Sequence, residues 1–413
     1  MESNILVTVL CISYNHSSNI SKAIESFLNQ RTTFDYEIIV HDDASIDGTK
    51  DILLEYEKKN LSNFKIIIEG ENQYSQGRFV ESLNKIVREE ARGKYIAICE
   101  GDDFWIDCNK LQIQVEYMEN HPLCALTAHN GLWIDNITGD ISPADGFVCE
   151  KDLSIDELIR HKRGCFPTAS MVMKKEFYEV TPPFPVGDGG AWVWQLYCAD
   201  KGSVHYFDRI MCVYNVNFPG SWTLRTMQDR IAKVDLGLRK IEFLYELNNY
   251  WERKHEKEIQ NAIEAYTLLA VSSLKESGND NEEIKRNLTE TFNGNYSRAK
   301  KIVLAQLMQQ EDEDRVLEDF IKKHTCIYVM GCGKLARKLA TKLVESDKKV
   351  DGFVVSNDQK APISFMNLPV YRLSDIRDRV GVGIVIGIQK SIKSEVIASL
   401  KDNNIENYYW PSI

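Results

Sequence analysis

The amino-acid sequence predicts an α/β protein whose first half is built on a parallel sheet. Apolar runs short enough for buried strands alternate with helical segments over residues 5–99, and this alternation is typical of parallel strands joined by helical crossovers. A second strand–helix series begins at Cys326, after a long stretch with helical spacing. The 413 residues exceed what a single hydrophobic core usually holds, so more than one domain is expected.

The elements of the first half follow from periodicity. Apolar residues at helical spacing from Ile20 to Leu28 mark one face of a helix. The same reasoning predicts strands at Ile5–Ser13, Tyr36–Val40, Phe64–Glu69 and Tyr95–Cys99, and helices at Ile20–Asn29, Thr49–Lys58 and Val80–Ala91. From Pro122 to Val216 the pattern is mixed, with apolar runs at Cys124–Ala128, Ala169–Met173 and Ile210–Tyr214 and a helix at Ala191–Lys201.

The remainder predicts two further regions, which gives domains at residues 1–223, 224–323 and 324–413. The middle region is charged and helical but lacks long heptads, which favours a small bundle or a bridging layer. The last region is Rossmann-like in its order. Its predicted strands are Cys326–Met330, Val350–Val355, Val370–Tyr371 and Gly383–Ile388, and its helices are Ala336–Glu345 and Lys393–Lys401.

Composition excludes several classes of protein. A net charge of -11 argues against nucleic acid as the main partner, because phosphate backbones require clustered Lys and Arg. The ten cysteines form no CxxC pair, and Cys11, Cys99 and Cys212 lie in apolar runs, as core cysteines do in a reducing compartment. The run from Ile5 to Ile12 lacks the basic start and cleavage site of a signal peptide. No apolar run approaches the ~20 residues that span a bilayer, so a cytoplasmic protein is expected, with peripheral membrane association left open.

Polar clusters follow three of the predicted strands, at Ser13-Tyr14-Asn15, at Asp42-Asp43 and at Glu100-Gly101-Asp102-Asp103. Because ligands of parallel sheets bind at the carboxyl ends of the strands, we expect these clusters to lie around one crevice. Bunched carboxylates suit a divalent cation such as magnesium or manganese. Taken alone, the last cluster is equally consistent with an acidic turn that caps the helix starting near Asn109.

A fourth carboxylate, Asp188, lies among glycines immediately before the predicted helix at Ala191. An aspartate in this position is typical of a helix N-cap. A single carboxylate presented on a glycine-flanked turn beside a crevice also suits a general base. Both interpretations stay open from the residues alone.

Taken together, Tyr14-Asn15, the segment Asp42-Asp43-Ala44-Ser45-Ile46-Asp47-Gly48-Thr49 and the segment Glu100-Gly101-Asp102-Asp103-Phe104-Trp105 resemble the bacterial family 2 glycosyltransferases with a GT-A fold. The resemblance covers roughly the first half of the chain, and the three motifs in this order are more specific than any one of them. Gly187-Asp188 followed by Ala191-Trp192 also resembles the segment that carries the base in this family.

The resemblance implies roles for individual residues. It implies that the nucleotide sugar is bound by seven residues, with Arg78 near the diphosphate: Ser13, Tyr14, Asp42, Asp43, Arg78, Glu100 and Asp102. Asp102 would bind Mn²⁺ or Mg²⁺, and the adjacent Asp103 could share that role. Asp188 would be the catalytic base of a single displacement that inverts the anomeric carbon.

The sequence departs from the family pattern at several places. Glu100 stands where the first aspartate of the Asp-any-Asp pair is usual, and Gly189-Gly190 replaces Trp-Pro after the base. Asn215 and Asn217 stand where relatives often carry Arg and His, which puts the pyrophosphate contacts of that segment in doubt. Three tryptophans are candidate faces for stacking a sugar, although burial in a core is the commoner situation: Trp105, Trp192 and Trp222.

The C-terminal region resembles the small nucleotide-sugar-binding domain at the front of some sugar acyltransferases. Its turn, Gly331-Cys332-Gly333-Lys334, resembles a dinucleotide fingerprint, but the expected acid, Asp351, falls at the start of the next strand and not at its end. That placement argues against NAD. A structural or docking module is favoured over a second ligand site.

The resemblance therefore implies a metal-dependent inverting glycosyltransferase that moves one sugar from a UDP-linked donor onto a glycan, lipid-linked or protein-linked acceptor in surface polysaccharide or glycoprotein assembly. A nucleotidyltransferase is a weaker alternative, because no glycine-rich basic phosphate loop lies near the N-terminus. A non-catalytic nucleotide-sugar-binding scaffold is the other alternative, in which Asp102 and Asp188 would be dispensable. Homo-oligomer formation through the helical middle region stays open.

Overall fold

We describe the protein from a computed structural model. It describes residues 5–411 except 145–146, 148, 162–165, 181, 183–189, 219–220, 276–285, 287, 293–295 and 346, and only the backbone of Trp222 and Lys390. The chain divides into two compact units, residues 1–303 and 304–413, and each is described by itself. The helical region expected at 224–323 is shared between the two units, and the three-domain division stays a prediction.

The first unit contains a large mixed sheet and its covering helices. Its strands are β1 Ile5–Ser13, β2 Asp35–Asp42, β3 Phe64–Ile68, β4 Tyr95–Glu100, β5 Phe104–Trp105, β6 Cys124–Asp135, β7 Ile141–Pro143, β8 Lys151–Leu153, β9 Val172–Lys174 and β10 Ser203–Val216. Its helices are α1 Ile20–Leu28, α2 Thr49–Glu57, α3 Phe79–Glu90, α4 Lys110–Asn120, α5 Ile155–Arg160, α6 Lys175–Tyr178, α7 Ala191–Lys201, α8 Trp222–Gln228, α9 Arg230–Tyr250 and α10 Glu256–Lys275. A further helix, α11 Ser297–Lys322, runs into the second unit.

The strand order is β3-β2-β1-β4-β9-β6-β10-β5, with β7 paired to β6 and β8 paired to β10. The first four strands are parallel, as the alternation of strands and helices predicts. Antiparallel pairs of β9 with both β4 and β6 extend the sheet, and β6 and β10 then run parallel. The seven elements predicted between residues 5 and 99 are confirmed within two residues at each end.

Two strands are longer than the apolar runs that predict them. Strand β6 continues beyond Ala128 to Asp135, and β10 begins at Ser203, well before Ile210. Their pairing continues through irregular register between Phe207 and Ile210, so exposed polar residues interrupt the apolar pattern without ending the strand. This extension matters because the far end of β6 lies beside the candidate site.

Helix α1 shows why the predicted periodicity succeeds. Its residues Ile20, Ala23, Ile24 and Phe27 are all fully buried, and they follow helical spacing. The ring of Phe27 lies 4.7 Å from that of Trp105, in an edge-to-face arrangement. This face packs α1 against the strands whose carboxyl ends carry the acidic cluster.

The helices after the sheet pack closely on one another. A Cβ built on Gly237 of α9 would lie 3.0 Å from the Cβ of Ala270 on α10 and 3.1 Å from the carbonyl oxygen of Tyr266. Glycine therefore allows these two helix backbones to approach. The helical content expected for this region is present within the described residues.

The second unit is a smaller α/β sheet. Its strands are β11 Cys326–Met330, β12 Gly352–Val355, β13 Ser364–Phe365, β14 Leu368–Arg372, β15 Val382–Ile386 and β16 Tyr408–Tyr409. Its helices after α11 are α12 Lys334–Glu345, α13 Leu373–Ile376 and α14 Lys393–Asp402. The order β13-β14-β12-β11-β15-β16 is Rossmann-like, because the first strand lies between the second and the fourth of the parallel set.

Asp351 in this unit does not lie at a ligand-binding edge. Its Oδ2 accepts a hydrogen bond of 2.9 Å from the backbone N–H of Ile327, near the start of β11. Its other oxygen pairs with Lys349. The carboxylate therefore joins the segment before β12 to the start of β11.

No described helix combines the length and the apolar character that crossing a bilayer requires. The cysteines predicted for the core are Cys11, Cys99 and Cys212, and each is buried with a free thiol. Burial raises the pKa of all three thiols.

Candidate active site

The three polar clusters predicted from the sequence lie at one edge of the sheet. Strand β1 lies between β2 and β4, and all three run parallel. In register, Ser13 is paired with Asp42 on one side, and Ile12 is paired with Glu100 on the other. The carboxyl ends of these three strands therefore lie side by side, as the sequence predicts.

Asp42 organises the turn that follows β2. Its side chain is fully buried, and its two oxygens accept hydrogen bonds from the backbone N–H and the hydroxyl of Ser45, at 3.0 and 2.5 Å. Both oxygens therefore have a partner within the loop. The nucleoside-binding role expected for Asp42 stays a prediction.

Asp43 joins the end of β2 to the loop that follows β3. Its carboxylate is buried, and its two oxygens accept hydrogen bonds from the backbone N–H groups of Gln73 and Tyr74, at 2.6 and 3.0 Å. The side-chain amide of Asn72 donates to the carbonyl of Asp43. A carboxylate oxygen has two lone pairs, so each oxygen retains capacity for a further donor.

Arg78 lies at the end of the same loop, immediately before α3. Its Nε donates a hydrogen bond of 3.1 Å to the side chain of Gln73, and its Nη2 pairs with Glu71. The side chain is about half exposed. The loop therefore holds the guanidinium by two local contacts near the residues that bind Asp43.

A hydrogen-bond network that the sequence argument missed fastens the loop after β1 to the loop after β2. Asn15 accepts from the backbone N–H of Ile46 at 2.9 Å, and the hydroxyl of Thr49 accepts from the backbone N–H of His16. Asp47 accepts from Ser17. Although desolvation acts to raise its pKa, the hydrogen bonds from Thr49 and Ser17 lower it to about 2. The network fixes the walls of the crevice.

The acidic cluster after β4 contains two carboxylate oxygens without partners. Oε2 of Glu100 and Oδ2 of Asp103 are buried, and no hydrogen-bond donor among the described residues reaches them. Burial, together with the charge of Asp102, raises the pKa of Glu100 to about 7. Burial and the charges of Asp102 and Glu100 raise the pKa of Asp103 well above its usual range. Such a cluster needs a positive partner to be fully ionised.

Two further residues hold this cluster in place. The backbone N–H of Asn215 donates to Oδ1 of Asp103 at 2.9 Å, and its side-chain amide donates to the carbonyl of Asp102 at 2.6 Å. His16 approaches from the other side, with Nε2 3.7 Å from Oδ2 of Asp102. A Cβ on Gly101 would lie 2.9 Å from Nδ1 of His16. Asn215 therefore positions the acidic turn, and sequence reasoning identified neither this role nor the approach of His16.

The donor set fits a hard divalent cation. Asp102 and Asp103 are adjacent, carboxylate oxygens are ligands that Mg²⁺ and Mn²⁺ prefer, and one oxygen of Asp103 is buried without a partner. Within the described ranges, no three His, Cys, Asp or Glu side chains form a complete metal site. Magnesium sites commonly use one or two carboxylates together with substrate phosphates and water, so a smaller protein ligand set suffices.

The structure corrects the tryptophans proposed as sugar-stacking faces. Trp105 and Trp192 are 4% and 3% exposed, and their indole N–H groups donate to the carbonyls of Ala169 and Leu158. Both rings belong to the core, so a sugar has no access to them. Asp188 and the side chain of Trp222 lie outside the described residues.

Residues 8–166 match the family model described as "Glycosyl transferase family 2". An uncharacterized protein of Mycobacterium tuberculosis is 32% identical over 219 residues, which cover 52% of this chain and 60% of that protein. The putative teichuronic acid biosynthesis glycosyltransferase TuaG of Bacillus subtilis is 32% identical over 157 residues, covering 38% of this chain and 58% of TuaG. The chain therefore spans about 60% of the length of these relatives.

Among solved structures, the Staphylococcus aureus protein TarS, residues 1–349, in complex with UDP-GlcNAc aligns with a TM-score of 0.45 and 13% identity, covering 76% of this chain and 92% of that one. The motifs that follow β1, β2 and β4, including the acidic turn, all lie inside the matched residues 8–166. Residues 8–166 are therefore similar to glycosyl transferase family 2, which agrees with the resemblance that the three motifs carry.

Proposed function

We propose that the protein transfers one sugar from a nucleotide-diphosphate sugar, UDP-linked, to a hydroxyl group of a glycan or glycoconjugate acceptor. The observation that carries this proposal is the acidic cluster at the end of β4, with buried unpaired oxygens on Glu100 and Asp103. The cluster lies beside the ends of β1 and β2, within the residues that match the family model. The cation that accompanies a diphosphate supplies the positive partner that these acids lack.

The nucleoside end of the donor is assigned to Ser13, Tyr14 and Asp43, with Asp42 shaping the loop beside them. The hydroxyl oxygen of Ser13 is buried and has no partner among the described residues. The carboxylate of Asp43 is held by two backbone N–H groups, which orients it to accept a further N–H such as the imide of uracil. Arg78 is assigned to the diphosphate as a positive charge.

The diphosphate end is assigned to the acidic turn. Asp102 and Asp103 would hold Mn²⁺ or Mg²⁺, with Glu100 close by. When bound, such an ion supplies Lewis acidity that neutralises charge on a diphosphate leaving group. Asn215 keeps the turn in position through its two hydrogen bonds to Asp102 and Asp103.

Asp188 is assigned as the base that removes the proton of the acceptor hydroxyl. The deprotonated oxygen then attacks the anomeric carbon from the face opposite the diphosphate. This single displacement inverts the anomeric carbon and requires no covalent enzyme intermediate. The support is the resemblance of the Gly187-Asp188 segment to the base-bearing segment of the family, since residues 183–189 lie outside the described ranges and beyond the matched residues 8–166.

The pathway and location are also proposals. TuaG is named for teichuronic acid biosynthesis, which supports a role in surface polysaccharide assembly. The free, buried cysteines suit a reducing compartment, which supports a cytoplasmic location.

The test is release of the nucleotide from a panel of nucleotide sugars with manganese or magnesium. Wild type, Asp188→Asn and the control Asp51→Asn, which alters an exposed aspartate on α2, are compared. We expect turnover of one donor that needs the metal, is lost in Asp188→Asn and is unchanged in the control. Metal-dependent binding of donors without turnover, with Asp188→Asn equal to wild type, would favour the scaffold. Release of pyrophosphate from a nucleoside triphosphate and a sugar phosphate would favour a nucleotidyltransferase.

A further inference from the structure

Trp133, near the end of β6, differs from the buried tryptophans of the core. Its side chain is 37% exposed. The indole N–H groups of Trp105, Trp192 and Trp251 all donate to oxygen acceptors. No acceptor for the indole N–H of Trp133 exists among the described residues, and its one ring contact is with Tyr214. An amphipathic ring left partly exposed with an unused donor is suited to binding a ligand.

The pairing of the strands places this ring beside the acidic cluster. In the β6–β10 register Trp133 is the direct partner of Tyr214, so both side chains lie on the same face of the sheet, with ring centroids 6.1 Å apart. Burial raises the pKa of Tyr214, and the negative charges of Asp103 and Glu100 raise it further. Tyr214 contacts Trp133 and immediately precedes Asn215, whose backbone N–H bonds Asp103, so the chain links the ring to the acidic turn.

Amide side chains lie at the neighbouring ends of β6 and β10. The side-chain amide of Asn136 donates to the carbonyl of Val216 at 3.0 Å and approaches Asn215, the residue that holds the acidic turn. The amide of Asn217 donates to Oδ2 of Asp135 at 2.8 Å. These bonds use the N–H groups of both amides. No donor among the described residues reaches their side-chain carbonyl oxygens, which can accept hydrogen bonds from hydroxyl groups.

We propose that Trp133 is the platform on which a pyranose ring of the acceptor lies, with Asn217, which bonds Asp135 on the same face of β6, accepting a hydrogen bond from one of its hydroxyl groups. One face of a pyranose carries C–H bonds and its edges carry hydroxyls, so it matches an aromatic face bordered by an amide oxygen. This assignment rests on the proposed glycosyl transfer, and it names the acceptor class as a sugar and not a protein hydroxyl or a bare lipid phosphate.

The test compares Trp133→Ala and Trp133→Phe with the matched control Ile141→Ala. Ile141 is 64% exposed on the same hairpin, but it pairs with Ile134 and so lies on the opposite face. The probes are cellobiose, chitobiose and lactose. Their binding is followed by saturation-transfer NMR, and their acceptor KM is measured with the donor that the wild type hydrolyses. Thermal unfolding and mass by light scattering show whether each variant keeps its fold and oligomeric state.

We expect at least one disaccharide to bind the wild type and its KM to rise about five- to tenfold in Trp133→Ala, as loss of one aromatic contact predicts. Trp133→Phe should recover much of this loss, and the donor KM should change less than the acceptor KM. Equal disaccharide KM in Trp133→Ala and wild type would overturn the proposal, and so would failure of every disaccharide to bind. A change of mass on Trp133→Ala would instead assign the ring to contact between copies.

The outcomes separate this proposal from the proposed function. Disaccharide binding that depends on Trp133, in a protein that turns over no nucleotide sugar, would support the sugar platform and contradict glycosyl transfer. Donor turnover together with acceptor KM values indifferent to Trp133 would support glycosyl transfer and contradict the platform.

Discussion

Lys110, the first residue of α4, is a buried cation over the ring of Trp105, and its replacement by methionine should stabilise the protein. The side chain is fully buried, and Nζ has no hydrogen-bond partner among the described residues. Nζ lies 4.2 Å from the centre of the Trp105 ring. Lys110→Met keeps the length of the side chain and removes the charge, so the perturbation isolates the cost of burying an ammonium group.

The magnitude follows from the pKa. Burial lowers the pKa of Lys110 from 10.5 to about 7, which corresponds to about 5 kcal/mol of destabilisation while the group is protonated. The contact with Trp105 offsets about 1–2 kcal/mol of this. At about pH 6.5 we therefore expect Lys110→Met to raise the free energy of unfolding by about 2–4 kcal/mol.

The stability gained by Lys110→Met should decrease as the pH rises. Between pH 7 and 10.5 the unfolded chain binds more protons at Lys110 than the folded chain does, so the destabilisation that Lys110 causes becomes smaller as the pH rises through this window. The gain from Lys110→Met should shrink accordingly, to about 1 kcal/mol near pH 10. The groups facing Lys110 are Cys99, Cys212 and His129; the thiol pKa values are raised and that of His129 is well below its usual range, so none titrates in this window.

Urea unfolding at about pH 6.5 and about pH 9.5 measures both quantities. The matched control is Lys22→Met, because Lys22 also lies over an aromatic ring, that of Phe104 at 3.6 Å, but is exposed. The control should change stability by less than about 1 kcal/mol at either pH. Loss of stability in Lys110→Met, or a gain that grows with pH, would refute the reasoning.

Two further substitutions test the framework of the site. Glu37 is buried and accepts hydrogen bonds from the backbone N–H and the Nε of Arg92 at 2.6 and 2.7 Å. Glu37→Gln should lower the free energy of unfolding, measured by urea denaturation, by about 2–3 kcal/mol. A change below about 0.5 kcal/mol would show that the pair does not stabilise the fold. A Cβ on Gly101 would lie 2.7 Å from Cδ1 of Ile20, whereas none lies within 4 Å of one on Gly70. Gly101→Ala should therefore weaken UDP binding in calorimetry while Gly70→Ala does not, and equal binding by both would contradict the close fit.

The convergence of the site could be predicted because it depends on topology. Strand ends at Ser13, Asp42 and Glu100 meet once three parallel strands are assigned, and periodicity alone assigns them. The apolar spacing of α1 and the acidic run after β4 are local properties of the sequence. No knowledge of distant contacts was needed for either.

The roles of individual side chains could not be predicted, because tertiary contacts decide them. Asp42 and Asp43 look equivalent in the sequence, yet one closes its own turn on Ser45 and the other binds backbone N–H groups about thirty residues away. Trp105 is buried and Trp133 is partly exposed. This difference depends on where each residue lies in the sheet, which the identity of the residue does not predict. Nothing in the acidic segment itself predicts the hydrogen bond from the backbone N–H of Asn215, which lies more than a hundred residues later in the chain.

The central claim is that the acidic turn binds a nucleotide through a divalent cation, and calorimetric titration with UDP tests it most directly. Wild type, Asp102→Asn and Asp103→Asn would each be titrated with manganese and with EDTA. We expect the wild type to bind UDP only with manganese and at least one of the two variants to lose this binding. The variant that loses it identifies the main metal ligand. UDP binding of equal strength in EDTA, or unchanged manganese-dependent binding in both variants, would contradict it.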